Sequence, residues 1–346
     1  MRRATTGLVG TVVLAALITM VPSGAAVADP AAGVTPNAVD IVGVGDGTSQ
    51  ILMNKLAAAY NASLTDPSAP HLYSWDVSPT GTITTKAGAT PIARPANTYA
   101  GFLALNGNTR ATVDFARSSR PAQTTDPSTD DFVALAKDAV TWAAPSTGNA
   151  PANLTTQNLK DIYTCAVTTW NQIDPTLSTD TIKPYLPWPQ TGLGTDFLTA
   201  IGGGTSVTPG TCVAGVPVSN QGTDPAFGDP DALVPYSVGY FIGQAYLGQG
   251  GGADVQGPLT LRSIDSVAPV DLQSKTIAAD FAATMYANIL YSVVRDADWT
   301  ATDAHGAALR AVLGHGSWIC RNGADAIKAS GFLPVSSFAC GSVWHS

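Results

Sequence analysis

The stretch VDIVGVGDGTSQILMNKLAAAYN, residues 39–61, decides the class of fold. Its apolar start is typical of a buried strand, and the glycines of GVGDG then favour a turn. After the turn, Leu52 and Leu56 lie at helical spacing, and Thr48 or Ser49 is a natural N-cap. A strand, a glycine turn and a helix in this order predict an α/β protein.

The rest of the chain continues the alternation of strands and helices. NLTTQNLKDIYTC, residues 153–165, predicts an amphipathic helix, and LVPYSVGYFIGQAYL, residues 233–247, predicts a turn and strand followed by a helix. STDDFVALAKDA, residues 128–139, also predicts a helix, because Ser128 and Asp131 have the spacing of a capping box. In open α/β sheets of this kind, ligands bind where strands end.

Composition narrows the classes of function. Hydrophobic residues make up 45% of the 346-residue chain, which argues against disorder. The formal net charge is −8, so the chain lacks the basic surface of a nucleic-acid-binding protein, and we expect no nucleic-acid partner.

Residues 1–28 have the pattern of a secretory signal peptide. Arg2 and Arg3 precede an apolar run, and AVA precedes Asp29, so we expect cleavage after Ala28. An uncleaved membrane anchor is the alternative, and the shortness of the apolar run disfavours it. No cysteine lies near the cut, so we expect neither a lipobox nor a transmembrane helix in the mature, secreted or surface-exposed chain.

Four cysteines remain, and an even number in an exported chain favours disulfides. Nearest-neighbour pairing gives Cys165–Cys212 and Cys320–Cys340, because each pair lies within one region of the chain. The rival is a metal site, which the absence of CxxC spacing and of nearby histidines disfavours. We therefore expect neither a metal nor a cofactor.

The stretch WPQTGLGTDFL, residues 188–198, has the pattern of an anion-binding turn. Two glycines and a threonine at the start of a helix expose backbone N–H groups, which favour negative ligands. Leu193, however, stands where a hydroxyl would be useful, and Asp196 adds a negative charge near the helix N-terminus. Asp196 could instead point to solvent as a residue favoured by the helix dipole.

Several blocks, taken together and in order, resemble one family. These blocks are GVGDGTSQ, RPANTYAG, DFARSSR, NLTTQNLKDIYTCAVTTWNQI, PYLPWPQTGLGTDFLTAIG and VPYSVGY. They resemble the phosphate-binding components of ABC importers, above all the secreted and surface forms seen in actinobacteria. The resemblance covers roughly residues 40 to 340.

The resemblance implies a two-lobed periplasmic-binding-protein fold of type II, with two hinge connections and a ligand cleft between the lobes. The composition of residues 29–37, rich in Ala, Pro and Gly, separately predicts a flexible leader. Lobe one would combine residues 38–120 with residues 262–346, and residues 121–261 would form lobe two. The implied partners are a small-molecule ligand, either phosphate or another small polar solute, and an ABC permease, with the chain itself a monomer and not an enzyme.

The family's ligand contacts fall on particular positions of this chain. The hydroxyl of the first glycine turn falls on Thr48, and the hydroxyl that begins the second helix falls on Thr98. The family's acid, which accepts a hydrogen bond from protonated phosphate, matches Asp114. The last turn contributes Gly194 and Thr195.

Other positions depart from the family pattern. A family serine is Leu193 here, the position after Thr195 is Asp196, and the earlier basic position falls on Pro189, which cannot donate. Arg117, which we include among the ligand-binding residues, and Arg120 follow Asp114 and could restore positive charge. Arg117 could also pair with Asp114 or another acid.

The sequence therefore predicts a secreted solute-binding protein with a degenerate anion site. The alternative is an extracellular or surface interaction protein that keeps the fold without transporting a ligand. A hydrolase is disfavoured, because the four histidines are scattered and GHGSW lacks the GxSxG pattern of a nucleophile elbow.

Overall fold

The computed structural model describes residues 29–31, 33–187 and 191–345. The predicted signal peptide, residues 1–28, and the departure at Pro189 lie outside the described residues. Within the described part of the chain, no helix is both long and apolar enough to cross a bilayer.

The described helices are, in chain order, α1 Gln50–Ser63, α2 Thr98–Asn106, α3 Thr156–Tyr163, α4 Gly192–Ile201, α5 Val238–Tyr246, α6 Asp296–Trp299, α7 Ala304–Leu313, α8 Trp318–Asn322 and α9 Ala324–Ala329. The described strands are β1 Ile41–Gly45, β2 Leu72–Ser74, β3 Thr82–Ile83, β4 Ile92–Ala93, β5 Phe115–Ser118, β6 Asp130–Pro145, β7 Asn153–Leu154, β8 Lys183–Pro187, β9 Ala214–Val216, β10 Ala232–Ser237, β11 Leu259–Leu261, β12 Ser263–Ile264, β13 Val270–Asp271, β14 Thr276–Ile277, β15 Ala287–Arg295, β16 Leu333–Pro334 and β17 Val343–Trp344. The alternation of strands and helices confirms the predicted α/β class.

One mixed sheet organises the chain, with strand order β2-β1-β5-β15-β6-β10-β8-β9. The long strand β6 joins its two sides: residues 130–139 pair with β15, and residues 140–143 pair with β10. The short strands β11, β16 and β17 also pair with β6. β6 is therefore continuous through the middle of the sheet.

The helix predicted over residues 128–139 is wrong, because these residues enter strand β6. Almost every residue of this strand is buried, and neighbouring strands supply its hydrogen bonds on both edges. Asp131 pairs with His345, and Asp138 accepts a hydrogen bond from the backbone N–H of Gly239, so neither acid serves a helix of its own segment. Tertiary pairing has overridden a local capping pattern.

Two predicted helices are confirmed: the one after the first glycine turn and the one within residues 153–165. Helix α3 buries Leu159, Ile162 and Tyr163, and its N-cap Thr155 forms a reciprocal capping box with Asn158. Helix α1 starts after Ser49, which has the N-cap position but makes no capping hydrogen bond through its side chain. The predicted helix and strand over residues 233–247 are also present as β10 and α5.

The carboxyl ends of β1 and β5 meet at one edge of the sheet, because the two strands are parallel, with Gly45 opposite Arg117. Gly45 has φ of +104°, a conformation that favours glycine. A Cβ on Gly101 of α2 would lie 2.8 Å from the Cα of Gly45, so α2 packs directly against this strand end. The chain turns from β1 into α1 at this point, which places Asp46 beside the start of α2.

Two disulfides join the pairs expected from the sequence. Cys165–Cys212 ties the segment after α3 to the segment before β9, and Cys320–Cys340 ties α8 to the C-terminal segment. No described cysteine is free.

Candidate functional site

A buried carboxylate and three hydrogen-bond donors meet beyond the ends of β1 and β5. Asp46 Oδ1 accepts hydrogen bonds from Ser119 Oγ at 3.0 Å and from Thr98 Oγ1 at 3.2 Å. Asp46 Oδ2 accepts a third from the backbone N–H of Ser49 at 3.3 Å. We call these three donors, the hydroxyls of Thr98 and Ser119 and the N–H of Ser49, the cradle.

Three helices begin at the cradle. Ser49 is the N-cap of α1, Thr98 is the first residue of α2, and Gly192 is the first residue of α4. A Cβ on Gly192 would lie 2.4 Å from Ser119 Oγ and 2.8 Å from Thr98 Oγ1, so the start of α4 touches both hydroxyls. Because helix N-termini carry partial positive charge, this convergence favours a negative group between them.

The negative group present is the side chain of Asp46, which is only 2% exposed. Burial raises the pKa of this carboxyl above its usual value, and the hydrogen bonds from Ser119 and Thr98 and the charge of Arg117 offset part of that rise. The same donors that would stabilise a bound anion therefore stabilise a carboxylate of the protein itself.

The two arginines proposed to restore positive charge have other partners. Arg117 is fully buried, and its guanidinium donates to the carbonyls of Asp46 at 2.9 Å and Gly45 at 2.8 Å and to the hydroxyl of Ser74. Arg120 donates through both terminal nitrogens to the two oxygens of Asp126, each at 2.7 Å. Arg117 thus holds the turn backbone, and Arg120 is neutralised by an acid.

Two further acids, Asp138 and Asp196, lie close enough to the cradle to interact electrostatically with Asp46. Asp138 of β6 is fully buried beside the start of α5, and it accepts from Ser237 Oγ at 2.5 Å and from the N–H of Gly239 at 2.9 Å. Burial raises its pKa to about 6. Burial and the charge of Asp138 raise the pKa of Asp196 to about 8.

Asp196 does not point freely into solvent. It is only partly exposed, and its Oδ2 is a buried atom with no hydrogen-bond partner. The nearby Asn288 lowers its pKa through a side-chain hydrogen bond. The alternative of a solvated residue favoured only by the helix dipole is therefore wrong.

Asp114 lies at the opposite end of β5 from the cradle. Its carboxylate contacts Lys86 Nζ at 2.7 Å and His305 Nε2 at 2.7 Å, and it accepts from the N–H of Val42 at 2.7 Å. The structure therefore does not bring Asp114 together with Thr98. Its predicted role as a ligand-binding acid stays a prediction.

The remaining predicted residues lie around the cradle in different ways. Thr48 is fully buried and accepts from Asn220 Nδ2 at 3.1 Å. The N–H of Gly194 is used by the capping hydroxyl of Thr191, and Thr195 is partly buried one residue further along α4. Leu193 is fully buried in a hydrophobic cluster, so it fills core space.

Sequence reasoning missed Asp46 and Ser119. A signal was present, because an acid inside the glycine turn GVGDGT falls directly between a strand end and a helix start. An acid at such a point lies where backbone N–H groups collect a negative ligand. Ser119 follows the strand FARS in the same way.

The chain belongs to the PBP superfamily. A family model described as a PBP superfamily domain matches residues 30–223, which is more than half of the chain. A search among curated proteins found no match.

Solved structures show the same fold at low sequence identity. A protein from Clostridium perfringens, described as the substrate-binding protein of a phosphate ABC transporter and solved with bound phosphate, superposes with a TM-score of 0.57 at 14% identity over 86% of this chain and 100% of that one. An ABC-type phosphate transport receptor from Vibrio cholerae gives 0.54 at 17% identity over 86% and 100%. The ancestral soluble variant of the human phosphate binding protein gives 0.52 at 15% identity over 87% and 92%.

These similarities and the mixed sheet establish the fold as the two-lobed type II periplasmic-binding-protein fold. The predicted resemblance to phosphate-binding proteins of ABC importers is confirmed at the level of family and fold. The lobe boundaries at residues 120 and 262 stay a prediction.

Proposed function

We propose that this protein is a secreted solute-binding protein related to the phosphate-binding components of ABC importers, with a degenerate anion site. Phosphate binds weakly or is replaced by another small polar solute. The observation that carries the proposal is the convergence of three helix N-termini and two hydroxyls on one point at the strand ends. This is the place where open α/β sheets bind ligands.

The charge distribution argues against tight phosphate binding. A carboxylate about 4 Å from a bound anion costs on the order of 4 kcal/mol at an effective dielectric of about 20, roughly a thousandfold in affinity before screening. Asp46 accepts hydrogen bonds from the donors of the cradle, so its carboxylate occupies the position that a bound anion would need. Arg120 is paired with Asp126, so it does not offset this charge.

The proposal includes the place and partners of the protein. The signal-peptide pattern of residues 1–28 supports export, and the family resemblance supports a small-molecule ligand delivered to an ABC permease. We infer that the chain acts by binding as a monomer, with lobe one formed by residues 38–120 and 262–346 and lobe two by residues 121–261.

A second candidate is an extracellular or surface interaction protein that keeps the fold without transport. The specific observation in its favour is that Asp46 and Asp138 already use donors at helix N-termini. A protein with this role needs no free solute in the cradle.

A thermal-shift screen of the mature chain separates the two candidates. The panel contains phosphate, sulfate, nucleotides, sugars and amino acids, each at millimolar concentration. A solute-binding protein is stabilised in a dose-dependent way by at least one polar solute, and by phosphate weakly or not at all. If no member of the panel raises the melting temperature, the interaction role is favoured instead.

The predicted contacts Thr48, Thr98, Asp114, Arg117, Gly194 and Thr195 are tested with the solute that the screen identifies. Thr98→Val removes one of the two hydroxyls of the cradle, whereas Asp114→Asn changes a carboxylate at the other end of β5. We expect the Thr98 variant to weaken binding more than the Asp114 variant does. Equal losses would assign Asp114 a direct contact.

A further inference from the structure

We propose that the carboxylate of Asp46 is the resident anion of the cradle and that it excludes free oxyanions from it. The inference deepens the proposed function, since it takes the cradle as the ligand site and names the residue that sets its specificity. The ligand class that the cradle would accept without this side chain is a tetrahedral oxyanion such as phosphate.

The hydrogen bonds of Asp46 are those that a bound oxyanion would need. The Oδ1 atom accepts hydrogen bonds from the hydroxyls of Thr98 and Ser119, and Oδ2 accepts one from the N–H of Ser49. A free anion at the same position would have to take these donors from the carboxylate. Leaving the carboxylate buried without donors is unfavourable, so the two anions compete for one set of donors.

Close packing around Asp46 also disfavours a second anion in the cradle. Asp46, Thr98 and Ser119 are each at most 2% exposed. The first residue of α4 closes over the two hydroxyls, because even a methyl group on Gly192 would overlap Ser119 Oγ at 2.4 Å. The cradle and the start of α4 are therefore packed closely around the single carboxylate of Asp46.

The turn that carries Asp46 is fixed by Arg117. The guanidinium donates to the carbonyls of Asp46 and Gly45 from the buried side of the turn. Arg117 thereby directs the positive charge at the backbone of the turn and leaves the side chain of Asp46 to the neutral donors of the cradle. This arrangement orients the carboxylate without forming an ion pair with it.

Isothermal titration with phosphate tests the inference on the mature full chain. The variants are Asp46→Ala, which empties the cradle, and Asp46→Asn, which keeps the side-chain volume. Asp325→Ala, an exposed position on α9, is the matched control. We expect Asp46→Ala to bind phosphate at least about a hundredfold more tightly than the wild type, because it frees the three donors and the space between them and removes a like charge. Asp46→Asn removes the charge but keeps an amide oxygen on the same donors, so we expect it, like Asp325→Ala, to bind phosphate within about threefold of the wild type.

A triple variant shows where the phosphate binds. Adding Thr98→Val and Ser119→Ala to Asp46→Ala removes both hydroxyl donors, and we expect the gained phosphate affinity to disappear. Phosphate affinity that is equal in wild type and Asp46→Ala would overturn the inference. Affinity that survives in the triple variant would overturn it as well, because the anion would then bind elsewhere.

Loss of folding in Asp46→Ala does not remove the test. In that case we expect millimolar phosphate to restore the native circular dichroism of Asp46→Ala but not of the triple variant. Failure of phosphate to restore it would overturn the inference. The proposed function has a separate readout: if wild type binds no solute of the thermal-shift panel while Asp46→Ala binds phosphate, the proposed function fails and the assignment of Asp46 stands.

Discussion

The two ends of strand β5 each hold a buried aspartate, and the two carboxylates have different partners. Asp114, before the strand, contacts the cation Lys86 and the imidazole of His305. Asp46, beyond the other end, receives hydrogen bonds from two hydroxyls and one backbone N–H. Both side chains are almost completely buried.

The two aspartates differ in the charge of their partners. Asp114 and Lys86 neutralise each other inside the fold, so their pair needs no other group. The donors around Asp46 carry no full charge and lie at helix starts, where an external anion would be equally well received. The carboxylate of Asp114 therefore already has a charged partner, whereas a ligand anion could replace the carboxylate of Asp46 on its neutral donors.

The largest effect is expected from Asp114→Ala. The variant leaves the buried ammonium group of Lys86 without its partner carboxylate, and losing one member of a buried pair costs about 3–5 kcal/mol of unfolding free energy. Urea denaturation at neutral pH measures the loss. As a control, Arg110→Ala breaks an exposed ion pair with Asp303 and should cost less than about 1 kcal/mol. Equal losses in the two variants would contradict a structural role for Asp114.

The next largest effect is the dependence of the unfolding free energy on pH, to which Asp196 contributes. Its folded-state pKa of about 8 lies above the usual aspartate value of 3.8, so the folded chain retains a proton that the unfolded chain releases. The stabilising contribution is complete below about pH 4 and is lost as pH rises to about 8. Asp138, Asp46, Arg120 and Asn288 act on the same group.

Asp196→Asn removes this titration. We expect the fall in unfolding free energy between pH 4 and pH 8 to become shallower by about 2 kcal/mol, measured by urea denaturation across that range. Some slope remains below pH 6, because Asp138, with a pKa of about 6, still titrates. Asp325→Asn, at an exposed position, should leave the profile unchanged. An unchanged profile in Asp196→Asn would show that this carboxyl ionises as freely in the folded chain as in the unfolded one.

The smallest effect is expected from Ser119→Ala. The variant removes one of the donors to Asp46 and leaves a buried carboxylate less well satisfied, which costs about 1–2 kcal/mol. Urea denaturation with the exposed Ser274→Ala as control measures it. A loss no larger than that of the control would mean that the hydroxyl of Ser119 contributes little to holding Asp46.

The fold was predictable where local pattern and packing agree. Helix α3 has its apolar residues on one face and a capping box at its start, and both persist in the structure. Strand β6 was not predictable in the same way, because Ser128 and Asp131 imitate a helix start. Its strand state depends on pairing with β15, which lies more than 140 residues later in the chain.

The candidate site was only partly predictable. The glycine turns located the edge of the sheet, and Thr98 does face the cradle. The family resemblance alone assigned the role of phosphate-contacting acid to Asp114. Its partners Lys86 and His305 come from distant segments, so no local sequence pattern could predict these contacts. Asp46 was within reach of the sequence, since it stands inside the turn GVGDGT between a strand and a helix.

The most direct measurement is a crystal structure of Asp46→Ala grown with phosphate. The account predicts a phosphate ion in the cradle, with its oxygens within hydrogen-bond distance of the hydroxyls of Thr98 and Ser119 and of the N–H of Ser49. A cradle without an anion, or a phosphate bound only elsewhere on the protein, would contradict the claim that Asp46 occupies an anion site.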